Sequence, residues 1–281
     1  MKRVVIAGGT GYFGGYMIKK LKEAGYEVVA ISRSKKRIAH LKAYIDELVI
    51  ADVSNPTELQ GIMKDADLVV SSVGITKQKD DMTYMDVDYQ CNKNLLDEAI
   101  DAGVKSFMYI AALNGEHLRE LKIMEAKERF VDALLSTKLK AYIIRPSGFF
   151  SDIYEFYKMA KKGRVYVFGQ GQFKANPIHG ADLADFCVEK LTGAPGTYEV
   201  GGPEILTQRE LAEIAFDVLE KPVKITKIPL VMVRVIEKLV VLMTKQTIYG
   251  PVEFFLTVLT RDMVASKYGK HTVRKLFSTQ K

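Results

Sequence analysis

The sequence predicts an α/β protein, a doubly wound parallel sheet carrying a smaller C-terminal α/β lobe. Three observations predict it. Short β-branched runs alternate with amphipathic segments through the first 150 residues, a glycine-rich turn joins the first run to the first amphipathic segment, and after residue 150 the elements become shorter and glycine-interrupted. Such alternation builds βαβ units, because a parallel return needs a crossover and a helix supplies it.

The expected strands are residues 4–7, 27–32, 47–51, 68–71, 107–110 and 141–144. Each is almost continuously apolar, as strands are when helices cover both faces of the sheet. Between them, residues 12–24, 56–64, 86–102 and 124–136 carry apolar residues at helical spacing; in the third, Leu95, Leu96, Ala99 and Ile100 share a face. Right-handed crossovers then give one twisted sheet with a ligand crevice at the carboxyl ends of its strands. Residues 1–150 are expected to form this domain, with 176–191 as a segment able to return to it, and 151–281 to form the small lobe. Within the lobe, 163–171 and 196–200 read as short strands, 207–219 as a helix and 228–243 as an apolar helical run.

Leu230–Met243 contains Arg234, Glu237 and Lys238 and falls short of the roughly 20 apolar residues a bilayer span requires, so no transmembrane segment is expected. With residues 252–259 it reads as buried against the lobe, as a homodimer contact or other protein contact, or as a segment on a membrane surface.

The first strand ends in Gly8-Gly9-Thr10-Gly11-Tyr12-Phe13-Gly14. Gly8 permits a tight exit from the strand, Gly11 lets backbone approach a pyrophosphate, and Gly14 lets helix and strand pack closely. A bare GxxGxxG also arises in ordinary turns. Here an apolar strand precedes it and an amphipathic helix follows, the context of a Rossmann-type dinucleotide site whose helix aims unpaired N–H groups at phosphate. An NAD-selective site carries an acidic residue at the end of the second strand. This chain has Arg33-Ser34-Lys35-Lys36-Arg37 instead, so NADP(H) is expected over NAD(H), with Arg33 and Lys36 on the 2′-phosphate. Asp52 and Val53 follow the third strand, where they suit an adenine amino group and ring face; Asp52 suits a helix N-cap equally. Val73 and Gly74 follow the fourth strand, and Gly74 lets backbone pass close to ribose and pyrophosphate.

Composition limits the alternatives. With 281 residues, 48% hydrophobic and 27% charged, the chain is globular, neither disordered nor fibrous. Cys91 and Cys187 have no metal-ligand spacing, so no metal is expected and the compartment is read as reducing. The apolar run 4–7 is too short for a signal-peptide core, so a cytoplasmic location is expected. The net charge of +7 is scattered except at residues 33–37 and comes without a recognition helix, aromatic-interleaved basic stripe or zinc finger; nucleic acid is not an expected partner.

These motifs in this order resemble the atypical branch of the short-chain dehydrogenase/reductase superfamily, which opens on GGTGxxG. The resemblance extends through Asn92-Lys93-Asn94-Leu95-Leu96, residues 127–150 and Asn176-Pro177-Ile178-His179-Gly180-Ala181-Asp182. Relatives in that branch include isoflavone-reductase-like enzymes, regulators of the NmrA type, sugar-nucleotide epimerases and an accessory subunit of respiratory complex I. Active members place a serine after the fifth strand and a tyrosine four residues before a lysine. Here Ala111 or Ala112 stands for the serine and Ile123 for the tyrosine, while Lys127 matches.

The resemblance implies that Ala111, Lys127, Pro146 and Ser147 adjoin the cofactor and that Lys127 assists proton transfer if a bound nicotinamide lowers its pKa. Lys127 reads equally as one of several charges on a helix surface, beside Glu125, Glu128 and Arg129. Asn114 suits a substrate carbonyl. Phe149, Phe150 and Tyr154 suit a pocket for a small-molecule substrate, or core. His179 is a lone titratable residue of the kind more often structural. Two functions are implied: an NADP-dependent reductase of a small carbonyl or conjugated double bond, or an NADP(H)-holding sensor, regulator or assembly factor without turnover. An epimerase ranks below both, because it needs the missing tyrosine.

Overall fold

The apolar runs form strands whose alternate residues are buried on opposite faces. The computed structural model describes residues 2–75 and 82–280, with only the backbone of 246–248. Its first part runs β1 (Arg3–Ala7), α1 (Tyr12–Glu23), β2 (Glu27–Ser32), α2 (Lys35–Ile38), β3 (Glu47–Ile50), α3 (Pro56–Leu59), β4 (Leu68–Ser71), α4 (Asn92–Asp101), β5 (Ser106–Ile110), α5 (Lys122–Leu135) and β6 (Lys140–Pro146). The remainder runs α6 (Phe150–Lys161), β7 (Val165–Phe168), β8 (Lys174–Ala175), α7 (Gly180–Lys190), β9 (Gly196–Val200), β10 (Leu206–Thr207), α8 (Gln208–Val218), β11 (Ile225–Ile228), α9 (Leu230–Met243), α10 (Gln246–Leu259) and α11 (Val273–Ser278).

The main sheet has the order β3-β2-β1-β4-β5-β6-β9, and the pairings among its first six strands are all parallel. Strand order steps outward from β1 to β3, then crosses back to β4. That reversal is a topological switch point, where the loops leaving β1 and β4 diverge and a crevice opens. The small sheets pair β10 with β8 antiparallel and β11 with β7 parallel.

The chain divides into two compact units: residues up to Arg145 with Leu183–Tyr198, and Pro146–Asp182 with Glu199–Lys281. In the first, Val5, Ala7, Val29, Ile31, Val69, Phe107 and Tyr109 share a core with Leu95, Leu96 and Ala99 of α4 and Phe130, Val131 and Leu134 of α5. The alternating residues Val4, Ile6, Val28 and Ala30 are equally buried on the opposite face, which is why these strands read as continuous apolar runs. β3 departs from that expectation. It is an edge strand with Glu47 and Ile50 exposed.

Other expectations change in detail. The helix expected over 56–64 ends at Leu59, since Gly61 and Asp65 adopt positive φ. The segment expected to start a helix at Asp86 opens as a π-helical stretch, Met85–Cys91, before α4. Residues 150–161, overlooked because glycine and proline precede them, form α6; Phe150, Ile153, Tyr157 and Ala160 have the spacing of a buried helical face. Pro229 separates β11 from α9, dividing the single run expected over 228–243.

In the second unit α6, β7, α8 and α11 close a core on Phe150, Phe156, Tyr157, Val167, Phe216 and Phe277. α8 starts on a capping box: Thr207 Oγ1 accepts from the Glu210 N–H (3.1 Å), and Glu210 Oε2 accepts from the Thr207 N–H (2.7 Å). The expectation that Leu230–Met243 is buried against the lobe is corrected, because Val233 alone on α9 is buried. Among the described residues no helix is long and apolar enough to cross a membrane.

One buried ion pair joins α5 to β6. Arg145 donates from Nη1 to Glu128 Oε1 (2.6 Å) and from Nη2 to Oε2 (2.8 Å), and Nη1 also reaches the Ala112 carbonyl (3.2 Å). The two side chains are 5% and 1% exposed, so Glu128 is no solvated helix charge. Gly115 makes room for them, since a Cβ there would lie 2.1 Å from Glu128 Oε1. Removing one partner leaves a buried charge uncompensated, so Glu128→Ala is expected to cost about 3–5 kcal/mol in urea unfolding. A loss below about 1 kcal/mol would show the pair to be solvated.

Candidate nucleotide site

The β1–α1 turn is built by the absence of side chains. Gly8 has φ +89°, and a Cβ on it would collide with Ser72 at the exit of β4, 2.5 Å from Oγ. At Gly14 a Cβ would stand 2.2 Å from the Gly8 carbonyl oxygen. The Gly11 N–H donates to that same oxygen (3.0 Å), closing the turn. Gly11 occupies the N-cap of α1, where no side chain caps the helix, and its first turn holds no acidic residue. Gly11 and Tyr12 are exposed, Thr10 is partly buried, and Gly9 and Phe13 are buried. Uncapped amides and the positive end of the helix dipole, with backbone exposed above them, suit a phosphate.

Arg33, Lys36 and Arg37 are exposed beyond β2, and no ion pair among the described residues uses them. Asp52 folds back on the following turn: its Oδ1 accepts from the Ser54 N–H (3.0 Å) and hydroxyl (2.8 Å). The N-cap of α3 is Asn55, whose side chain accepts from the Thr57 N–H. The Val53 carbonyl is held by Asn94 Nδ2 (3.0 Å), tying the β3 exit to α4.

The β4 exit holds a buried polar cluster. Asn92, fully buried, accepts from Ser71 Oγ (2.5 Å) and donates to the Val73 carbonyl (3.1 Å) and the Asp88 carbonyl (2.9 Å). Asp88 is fully buried. Its Oδ1 lies 2.8 Å from Lys127 Nζ and its Oδ2 accepts from the Ile75 N–H (3.2 Å). Gly74 borders this pair so closely that a Cβ would lie 2.6 Å from Asp88 Oδ1 and 2.9 Å from Lys127 Nζ. The Lys127 side chain is 13% exposed, which corrects its reading as a solvated helix charge. Tyr109, fully buried on β5, places its ring 5.8 Å from Lys127 Nζ.

Burial pulls the Lys127 ammonium toward neutrality, but the Asp88 carboxylate and Tyr109 outweigh it and raise its pKa above the ordinary lysine value. Burial pushes Asp88 up, opposed by Lys127 and the Ile75 amide. Burial also pushes the Tyr109 phenol up to about 12. Before any ligand binds, Lys127 is therefore a fixed ammonium, poised opposite to the lowered pKa that proton exchange near neutrality requires.

Asp88 and Tyr109 were not foreseen. Asp88, Asn92, Leu95, Leu96 and Ala99 fall at i, i+4, i+7, i+8 and i+11, so a carboxylate on the apolar stripe was the available signal. Tyr109 offered none, being one apolar strand residue among several.

The remaining residues are placed as follows. The Ala111 N–H donates to the Ile144 carbonyl (2.8 Å) at the end of β5, and Asn114 adopts φ +57° to open the next turn. Ile123, standing where the tyrosine would be, is buried. In the second unit Pro146 ends β6, and the Ser147 hydroxyl donates to the Asn176 carbonyl (2.7 Å). Phe150 is enclosed in that unit's core, Phe149 caps α6, and Tyr154 stacks on Tyr157 with centroids 5.5 Å apart. His179 is not isolated. It stacks on His271 at 4.1 Å, and His271 Nδ1 lies 2.7 Å from the buried Asp182. Burial and the neighbouring imidazole lower the His179 pKa.

A sequence model of a family described as NAD(P)H-binding matches residues 8–193, from the glycine turn through α7. Divinyl chlorophyllide a 8-vinyl-reductase of Arabidopsis thaliana is 29% identical, over 81% of this chain and 60% of that protein. Photosystem II assembly factor Ycf39 of Guillardia theta is 24% identical, over 81% of this chain and 73% of its own length. The chain thus spans about three fifths of the length of the reductases it matches. In fold it is similar to the NADPH complex of an NADPH-dependent quinone oxidoreductase from Escherichia coli, with a TM-score of 0.79, 16% identity and 99% of each chain covered. With the motif, the sheet order and a family match over well more than half its length in agreement, the chain belongs to the NAD(P)H-binding family.

Proposed function

We propose that this protein is an NADP(H)-dependent reductase of a small organic carbonyl or conjugated double bond. The observation that carries the reading is the buried Asp88–Lys127 pair at Gly74, a charged group held at the β4 exit beside the switch point. The cofactor, when bound, supplies hydride; the protein's part is position and charge. The amides at Gly9 to Phe13 and the bare backbone at Gly8, Gly11 and Gly14 hold the pyrophosphate. Arg33 and Lys36 select the 2′-phosphate. Val53 and Asp52 adjoin adenine, and Val73, Gly74 and Ala111 adjoin the ribose and nicotinamide.

Lys127 offers its ammonium donors to ribose hydroxyls and its charge to negative charge developing on the substrate. Asp88 fixes its direction. Asn114 suits a substrate carbonyl; in the second unit, Phe149 and Tyr154 suit an apolar substrate wall, and Phe150 belongs to that unit's core. The likeness to a vinyl reductase supports this chemistry. Two free, buried cysteines suit a reducing compartment such as the cytoplasm.

A second reading, an NADP(H)-holding sensor or assembly factor, draws on Ile123 and Ala111 standing where the catalytic tyrosine and serine belong and on the likeness to an assembly factor. Turnover separates the two. Oxidation of NADPH with a panel of quinones, aldehydes and enones is expected, reduced about 100-fold or more by Lys127→Ala and less by Asp88→Asn. NADPH binding without turnover across the panel would favour the second reading.

Because the Lys127 pKa is raised, its paired charge persists through neutrality and is lost only as pH climbs past the ordinary lysine range. The kcat/KM profile should therefore show no ionisation belonging to Lys127 between roughly pH 6 and 9; one that vanishes in Lys127→Ala would contradict a fixed ammonium. Arg33→Ala should weaken NADPH binding about 10- to 100-fold, the loss of a charge-assisted bond worth about 1.5–3 kcal/mol, and leave NADH nearly unchanged. Equal losses for both cofactors would remove Arg33 from the phosphate.

A further inference from the structure

We propose that α9 rests on an anionic lipid surface. Seven large aliphatic side chains, Val231, Met232, Val235, Ile236, Leu239, Leu242 and Met243, are each between 45% and 82% exposed. At 100° per residue they fill one arc of about 140° that contains no charged or hydrogen-bonding group. Single exposed apolar residues are ordinary, but a contiguous strip is not, and it marks a surface that is covered in use.

The opposite side of the helix faces the protein, with Val233 buried and Glu237 half-buried in a crevice beside Thr257, Thr260 and Arg261. Lys238 borders the arc, Arg234 lies beyond it, and Lys245 follows the helix; all three are exposed. Glu237 and Arg234 both line that crevice, which leaves Lys238 as the charge next to the apolar strip.

Three features select the occupant. The strip lacks the tyrosine, tryptophan and arginine that anchor protein interfaces, whereas acyl chains require only aliphatic area. The cationic border complements acidic headgroups, while a second copy would bring the same border and the same +7 net charge. At 14 residues, about 21 Å, the helix suits lying in the headgroup plane and is too short to span.

The full chain should float with phosphatidylcholine vesicles containing phosphatidylglycerol, far less with phosphatidylcholine alone, and lose binding as salt rises. Val235→Glu with Leu239→Glu should lower vesicle binding at least about tenfold while NADPH affinity and melting temperature stay unchanged, since both positions are exposed. Lys238→Glu with Lys245→Glu should weaken binding to anionic vesicles selectively. Failure to bind anionic vesicles, with the wild type monomeric in solution, overturns the proposal. So does a dimer, or a stable complex with an acidic protein, that the Val235→Glu, Leu239→Glu variant dissolves while vesicle binding is unaffected.

Discussion

Gly14 packs so tightly on the Gly8 carbonyl that even a methyl group would sit 2.2 Å from that oxygen. This contact seats the amino end of α1 against the end of β1, an inner strand of the sheet, at the point where strand order reverses. The suitability of the turn for a phosphate follows from it. Any side chain at Gly8 or Gly14 would lift the helix away and take its uncapped amides with it. Gly8 is constrained twice, by positive φ and by Ser72 leaving β4, so the two loops that diverge at the switch point are fixed to each other by backbone contact.

Around that frame the described residues of the first unit bury charge only where it is paired. Glu128 and Arg145 join helix to strand, and Asp88 and Lys127 join the π-helical stretch before α4 to α5 beside Gly74. The Asn92 network holds the β4 exit in place between them. These groups cost desolvation that apolar residues would not, which marks them as placed for specificity of structure or for chemistry. Lys127 is the most exposed of these four charges.

What the sequence disclosed follows from how local each signal is. β1, β2 and β4, the glycine turn and the basic run after β2 were readable because each is a short pattern with a single physical cause: burial on both faces, tight backbone approach, absence of a carboxylate. Crossover handedness implied a single twisted sheet, but the strand order was not legible in the sequence, because it depends on tertiary pairing. The Asp88–Lys127 pair was half readable. Lys127 carries a motif signal, whereas Asp88 carries only the helix-face spacing it shares with Leu95, Leu96 and Ala99, which puts it in the core without naming its partner. The buried state of Glu128 depends on Arg145 from a strand 17 residues later, a tertiary pairing that periodicity alone does not reveal. α9 failed for a related reason. An apolar stripe predicts that a surface is covered, but it does not say whether the cover is the rest of the chain. His179 read as isolated because its partners, His271 and Asp182, converge only through the return of the C-terminal segment.

The claim on which the rest depends is that backbone amides of the first turn grip a pyrophosphate. Amide hydrogen exchange with and without NADPH tests it locally. Slowed exchange confined to residues 9–14 and 33–37, with the α9 backbone unchanged, is the expected pattern. Unaltered exchange in the glycine turn at millimolar NADPH, or protection centred elsewhere, would contradict it.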